Sequence, residues 1–212
     1  LTGTAFLLVA LTLVVAAGDW HAVFHGIKPL EYLCKPLTMV VLFAATMALD
    51  VDDPAVRTWF LVAIALCLAG DVFLMLPQDL FVFGLGAFLL GHIAYIVGMH
   101  LDGIDGSRFG IGVALAVVAL AVVGTPILRA VRAGPEPELA APVLAYMAVI
   151  SVMVASAIGA GHVAGVLGAL SFYVSDALIA WNRFLRETHH GRLAIIVTYH
   201  LAQVGLVLSL VG

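Results

Sequence analysis

Apolar residues run along this chain in long blocks, broken by short polar clusters. Eight blocks are long enough to cross a bilayer: 1–17, 29–48, 59–77, 80–99, 109–128, 139–158, 162–181 and 192–211. A spanning helix needs about 20 mostly apolar residues, within a range of about 17–25. The clusters between them are turn formers: Gly18-Asp19, Asp52-Asp53-Pro54, Pro77-Gln78-Asp79, Gly103 with Gly106, Gly134-Pro135-Glu136-Pro137, Gly159 with Gly161, and His189-His190-Gly191. Glycine and proline at such points end one helix and let the chain reverse. The pattern predicts an all-α polytopic membrane bundle of eight transmembrane helices, a single domain over 1–212. No loop is long enough to hold a soluble domain, so function is expected in the bundle or at its mouth. The block 1–17 has no basic leader and no small-residue cleavage site. It is read as a first span rather than a signal peptide, with a few residues expected ahead of Leu1.

Composition supports the membrane reading. The chain is 64% hydrophobic and 10% charged, with a mean hydropathy of +1.18, whereas a soluble domain carries about 25% charged residues. The net charge of −4 offers no basic surface to a nucleic acid. Cys34 and Cys67 lie in apolar blocks and read as small buried hydrophobes, not as a disulfide or a metal pair. The richness in Ala, Val and Gly fits a bacterial cell (inner) membrane.

Loop charge assigns the two sides. Lys28, Arg129, Arg132, Arg183, Arg186 and Arg192 fall around loops 1–2, 5–6 and 7–8. Loops 2–3 and 4–5 carry only Arg57 and Arg108, beside Asp50, Asp52, Asp53, Asp102 and Asp105. The first group is expected on the cytoplasmic side, with both termini outside.

Against this apolar background two carboxyls stand out, Asp71 in Gly70-Asp71-Val-Phe-Leu and Asp176 in Val174-Ser-Asp176-Ala-Leu. An ionisable group at membrane depth costs roughly 2.5–3.5 kcal/mol on insertion scales, and such groups face a bundle interior or a wet cavity. At 1.5 Å per residue, Asp71, Asp176 and Lys35 each lie about 9 Å from the cytoplasmic side, and Tyr146, Tyr199 and His200 about 10–12 Å. His92 lies near the midplane. Polar groups on six helices at compatible depths predict one cavity in the cytoplasmic half. Lys35-Pro36 matches Pro142 at an offset of 106, and Asp71 matches Asp176 at 105, which is one mark of a 4+4 internal repeat.

The chemistry open to these residues is acid–base. A carboxyl in an apolar site holds its proton, and a neighbouring carboxylate strengthens that tendency, so one of a pair serves as acid and the other as base or charge stabiliser. The structural alternative is that each Asp only caps a kink or pairs with Lys35 or Arg183. His92 shares a helix face with Tyr95, and His200 with Gln203, each three positions on; such histidines either line a site or bridge helices. His92 and His200 are not expected to be metal ligands, no His-x-x-x-His or Cys-x-x-Cys element is picked out in support of a metal site, and no metal or cofactor is expected. Lys35 could hold a phosphate or snorkel. Arg183, beside Asn182 and past Asp176, could grip an anionic headgroup or simply anchor the cytoplasmic end. Trp59 and Trp181 read as interfacial belt residues, and His189-His190 as a solvated loop. A serine hydrolase is disfavoured: there is no Gly-x-Ser-x-Gly elbow, and Ser171 and Ser175 have no adjacent histidine.

At these residues the chain resembles the YhhN/lysoplasmalogenase family of multi-pass membrane proteins. The stretches that carry the resemblance are Lys35-Pro36, Gly70-Asp71-Val-Phe-Leu-Met-Leu76, Phe83-Gly84 through Phe88, Gly91-His92-Ile-Ala-Tyr95, Pro142 with Tyr146, Gly168-Ala169 through Ser175-Asp176, Asn182-Arg183-Phe184, and Tyr199-His200 with Gln203. Together they cover helices 2 to 8. The resemblance implies an eight-helix hydrolase acting on a lysophospholipid substrate, a lysoplasmalogen, cleaving its vinyl ether with water to a fatty aldehyde and a glycerophospho-headgroup. That chemistry fits the two carboxyls read from the residues, Asp71 and Asp176, one as general acid and the other as cation stabiliser or water activator. Lys35 or Arg183, with Asn182, would hold the phosphate. His92, Tyr95, Tyr146, Tyr199, His200 and Gln203 would orient carboxyls and water. Two other readings stand beside it: a metal-dependent membrane amidase or ester hydrolase built on Asp71, Asp176, His92 and His200, and a proton-coupled transporter of lipids or small molecules.

Overall fold

The computed structural model describes residues 2–211. Among them eight helices are long and apolar enough to cross a membrane: α1 Gly3–His25, α2 Lys28–Met47, α3 Pro54–Met75, α4 Phe81–Asp102, α5 Gly106–Ala133, α6 Pro137–Ala160, α7 Val163–Phe184 and α8 Gly191–Val211. The chain is an integral multi-pass membrane protein, all-helical as the pattern predicts. Leu1, where the first predicted block opens, lies outside the described residues. The helices begin and end where the sequence supplies capping groups. Thr2 Oγ1 accepts from the Ala5 amide at 3.1 Å, Asp53 Oδ1 from Ala55 at 2.8 Å and Asp105 Oδ1 from Arg108 at 2.8 Å. Each satisfies a first-turn N–H that has no partner inside its helix. Gly26 and Gly161 close α1 and α6 in the left-handed conformation, at φ 70° and 81°, which glycine adopts without a Cβ clash.

The first helix departs most from expectation. It runs past the predicted turn at Gly18-Asp19 to His25. Gly18 is used for close packing instead: a Cβ there would stand 3.3 Å from Cys34 Sγ on α2. Asp19 is thereby carried into the bundle, with no exposed surface.

Consecutive helices pair as hairpins, α1 with α2, α3 with α4, α5 with α6 and α7 with α8. Contacts of α2 with α3, α4 with α6, α6 with α7 and α8 with α1 close seven helices into a ring. Helix α5 stands outside it against α6. A wide π-helical turn at Leu120–Gly124 redirects its last stretch, Thr125–Ala133, onto α7. Lipid-facing positions such as Leu7, Val14, Val117, Val122 and Leu167 are exposed and apolar, while Asp19, Asp71, His92, Asp176, His200 and Gln203 are buried. Polarity is therefore turned inward, as burial in a bilayer demands.

In lipid there is little hydrophobic gain from joining helices, so close backbone approach matters. The tightest approach joins α7 and α8. A Cβ on Gly168 would meet the Leu206 amide nitrogen at 2.7 Å and the Ala202 carbonyl oxygen at 2.8 Å. On Gly205 it would meet the Ala164 carbonyl at 2.9 Å. Backbone cannot yield as a side chain can. Gly168→Ala is therefore expected to lower stability by about 1–3 kcal/mol through overpacking. Gly86→Ala, whose Cβ meets nothing within 4 Å, should not. Thermal unfolding of the two purified variants in one detergent checks this.

Candidate active site

The inward-facing polar residues fall into two stations rather than the single cavity that depth alone suggests. The first is Asp71 on α3. Lys35 Nζ, reaching from α2, lies 3.3 Å from Oδ1, and the Tyr199 hydroxyl on α8 donates to Oδ2 at 2.5 Å. Lys35 sits one residue before Pro36, which removes an amide from the middle of α2 and loosens the turn that carries the lysine. The second station is Asp176 on α7. Tyr146 on α6 donates its hydroxyl to Oδ2, and His92 Nε2 on α4 stands 3.6 Å from the same oxygen.

Aromatic rings connect the stations. Tyr199 meets Phe172 edge-on with centroids 5.4 Å apart, Phe172 meets His92 at 4.6 Å, and His92 meets Tyr146 at 5.3 Å. Phe88 packs on both Tyr199 and Phe172. Edge-to-face geometry of this kind fixes each ring against its neighbours, so the two carboxyls are positioned relative to one another by a rigid stack.

Asp176 borders open space. It lies on the wall of a cavity of about 50 Å³ between α3, α4, α5, α6 and α7, several times the roughly 10–15 Å³ that one water requires. The lining is apolar, including Leu85, Phe88, Ile127, Met147 and Ile179, apart from Tyr146, Tyr173 and Asp176. The π-turn of α5 supplies Val123 to this wall, a placement that suits the frequent association of such turns with functional sites. Phe81 and Phe184 lie at the end nearer the helix termini. There the Arg183 guanidinium sits 4.2 Å above the Phe81 ring and pairs with Asp79 at 3.0 Å and Glu136 at 3.2 Å.

The other residues singled out from sequence take different places. Tyr95 donates to Gln203 Oε1 at 2.5 Å, joining α4 to α8 away from both carboxyls. His200 Nδ1 accepts from Trp20 Nε1 at 3.1 Å. An indole N–H only donates, so His200 carries its proton on Nε2. Asn182 Oδ1 accepts from the Thr188 amide and hydroxyl, both at 3.0 Å, and so ties down the α7–α8 loop. His92 and His200 do not converge with the two carboxyls: His92 is at Asp176 and His200 is against Trp20. Among the described residues no three His, Cys, Asp or Glu side chains stand close enough to share a metal ion.

Sequence reading passed over three features. Asp19 and Trp20 were hidden by placing the end of the first helix too early. Glu31 on α2 is buried and pairs with Arg192 at 2.7 Å and Lys28 at 3.1 Å. His21 and His25 form a His-x-x-x-His pair with rings 4.4 Å apart, on the exposed end of α1.

The Asp71–Lys35 pair is the sharpest energetic commitment here. Removing one member of a buried pair strands the other, at about 3–5 kcal/mol, while replacing both with apolar groups is far milder. Lys35→Met is therefore expected to destabilise strongly, and Lys35→Met with Asp71→Leu to recover most of the loss. A double-mutant cycle on thermal unfolding in detergent reads the coupling.

The sequence model of the YhhN family matches residues 30–210. The chain is similar to the lysoplasmalogenase TMEM86B of Rattus norvegicus, 29% identical over 177 residues, which is 83% of this chain and 70% of that one. Its human counterpart is 31% identical over 140 residues, 66% of this chain and 58% of the relative's length. A lysoplasmalogenase of Mycobacterium tuberculosis is 33% identical over 186 residues, 84% of this chain and 69% of that one. No solved structure matches the chain.

Proposed function

The chain belongs to the YhhN family, matched over residues 30–210, and on that premise we propose that it is a membrane lysoplasmalogenase in which Asp176 is the general acid. The observation that carries this reading is the position of Asp176 on the wall of a narrow apolar cavity. A single alkenyl chain entering that cavity brings its vinyl ether past the carboxyl. Tyr146 holds Oδ2, so Oδ1 is left to hand over the proton. Charging a carboxyl among apolar walls is costly, and the neutral acid is the form that meets the lipid.

Protonation at the alkene carbon remote from oxygen breaks the double bond and leaves an oxocarbenium ion, with its positive charge shared by carbon and the ether oxygen. The Asp176 carboxylate just formed, with the faces of Phe88 and Tyr146, stabilises that charge, as the paired carboxylates of glycosidases do. Water adds to the cationic carbon and gives a proton back to Asp176. The hemiacetal then collapses: its hydroxyl proton is lost, the carbon–oxygen bond to glycerol breaks, and the glycerol oxygen takes up a proton. The products are a fatty aldehyde and the glycerophospho-headgroup, with one water consumed. Asp71 stays paired with Lys35 and Tyr199, and holds the ring stack from behind. Arg183 at the cavity end is the cation placed to take the headgroup phosphate, exchanging Asp79 and Glu136 for it.

The end that carries Lys28, Arg129, Arg132, Arg183, Arg186 and Arg192 is assigned to the cytoplasm by the loop-charge rule, which places the cavity mouth in that half of the membrane. A cysteine introduced as His189→Cys should react with a membrane-impermeant maleimide only in inverted vesicles, and one introduced as Asp52→Cys only in intact cells. The reverse pattern would overturn the orientation.

Purified protein given a lysoplasmalogen should release aldehyde. General acid catalysis contributes about 10²–10⁴-fold, so Asp176→Asn is expected to lose at least about 100-fold in kcat. Arg183→Ala should raise KM with kcat little changed, because binding away from the reacting centre is lost equally in ground and transition states. Full activity in Asp176→Asn would remove it as the acid.

A further inference from the structure

Asp19 has no place in the chemistry above, yet it is the most anomalous residue in the bundle. It has no exposed surface, and neither carboxylate oxygen meets a hydrogen-bond donor. A buried carboxyl left in that state costs several kcal/mol unless something satisfies it. Lys35 lies on the neighbouring helix at the same level: Gly18, one residue before Asp19, packs on Cys34, one residue before Lys35, and Trp20, one residue after Asp19, donates to His200. The ion pair that Lys35 makes is with Asp71. Its ammonium has three donors, of which one is directed to Asp71. His200, whose Nδ1 is taken by Trp20, has an Nε2–H with no acceptor.

Around Lys35, then, are two unused ammonium donors, one unused imidazole donor and two unused carboxylate oxygens. Donors and acceptors balance in kind but do not meet. Groups so arranged are joined by ordered water, which characteristically makes about three bonds to buried polar atoms. We propose that Asp19, Lys35 and His200 enclose a buried hydration site on the α1–α2–α8 side of the bundle, and that the water consumed in hydrolysis is supplied from it. The last clause rests on the lysoplasmalogenase reading; the hydration site itself does not.

The two sides of the bundle then divide the substrates. The lipid chain enters the apolar cavity lined by α3 to α7, which is a poor store for water. Water is held on the opposite side, next to the Asp71–Tyr199 station and the ring stack leading to Asp176. Glu31 and Arg192, paired at 2.7 Å, lie nearer the helix ends on the same side and mark where this polar interior meets solvent.

Two measurements test this. In radiolytic hydroxyl-radical footprinting of the intact protein in detergent, radicals arise from bound water and label adjacent side chains. Cys34, buried beside Gly18, and Trp20 should be labelled in the wild type and protected in Asp19→Leu. An unlabelled wild type would show a dry site and overturn the proposal. In the aldehyde assay, Asp19→Leu should lower kcat by about tenfold or more while KM for the lipid stays within a factor of about two, since lipid binding is on the other side. Asp19→Asn, which keeps an acceptor in place, should recover much of that loss. Unchanged kcat in Asp19→Leu, with the label lost, would show that the bound water can go without cost to the rate and overturn its role as the supply. A labelled but catalytically silent wild type would support the hydration site and remove the enzymatic reading. If Asp19→Leu fails to fold, Asp19→Val is read in its place, and an unlabelled wild type or an unaltered kcat in Asp19→Val counts against the proposal.

Discussion

A charge in lipid must find a partner or a proton, and that requirement organises this bundle. Lys35 is available to Asp71 because α2 and α3 are neighbours, and Tyr199 reaches the same carboxyl from α8. Tyr146 and His92 bring α6 and α4 to Asp176 on α7. Six of the seven ring helices are thereby tied to one carboxyl or the other, and the seventh, α1, brings Trp20 to His200. Polar contacts between membrane helices average well under about 2 kcal/mol each, so their number and their shared register matter more than the strength of any one.

Those contacts can form only because the helices lie close. The α7–α8 crossing is set by Gly168 and Gly205, whose missing side chains let backbone meet backbone. Phe172 and Tyr199, one turn or so along the same pair, are then held edge to face. The stack continues through His92 to Tyr146, so small residues at one level fix the aim of aromatic hydroxyls at another.

Much of this was written in the chain. The eight spans follow from the length of the apolar blocks, and Asp71 and Asp176 stand out because nothing in an apolar run excuses a carboxyl. Lys35, Tyr146 and Tyr199 share the depths of their partners, which helical rise alone makes visible. What the sequence does not carry is azimuth. Depth cannot say that Tyr95 and Gln203 bond each other rather than a carboxyl, nor that Asp176 lies on the wall of an apolar cavity. Asp19 was lost for a different reason: Gly-Asp is a fair turn signal, and only the tight contact of Gly18 with Cys34 reveals that the helix continues. Arg183, legible as a cation near the membrane surface, gives no hint in sequence of the carboxylates of Asp79 and Glu136, which come from other loops.

The outlying position of α5 has a consequence for traffic. Val123 and Ile127 form part of the cavity lining, yet their helix packs chiefly on α6, with its end on α7. The barrier between the cavity and the surrounding acyl chains is therefore one helix thick, and that helix stands outside the ring of seven. On the reading proposed above, an amphiphile can slide sideways out of its own leaflet without crossing water. Once the ether is cut the halves part by solubility: the aldehyde tail returns to the oil, and the headgroup departs past Arg183 to the aqueous phase.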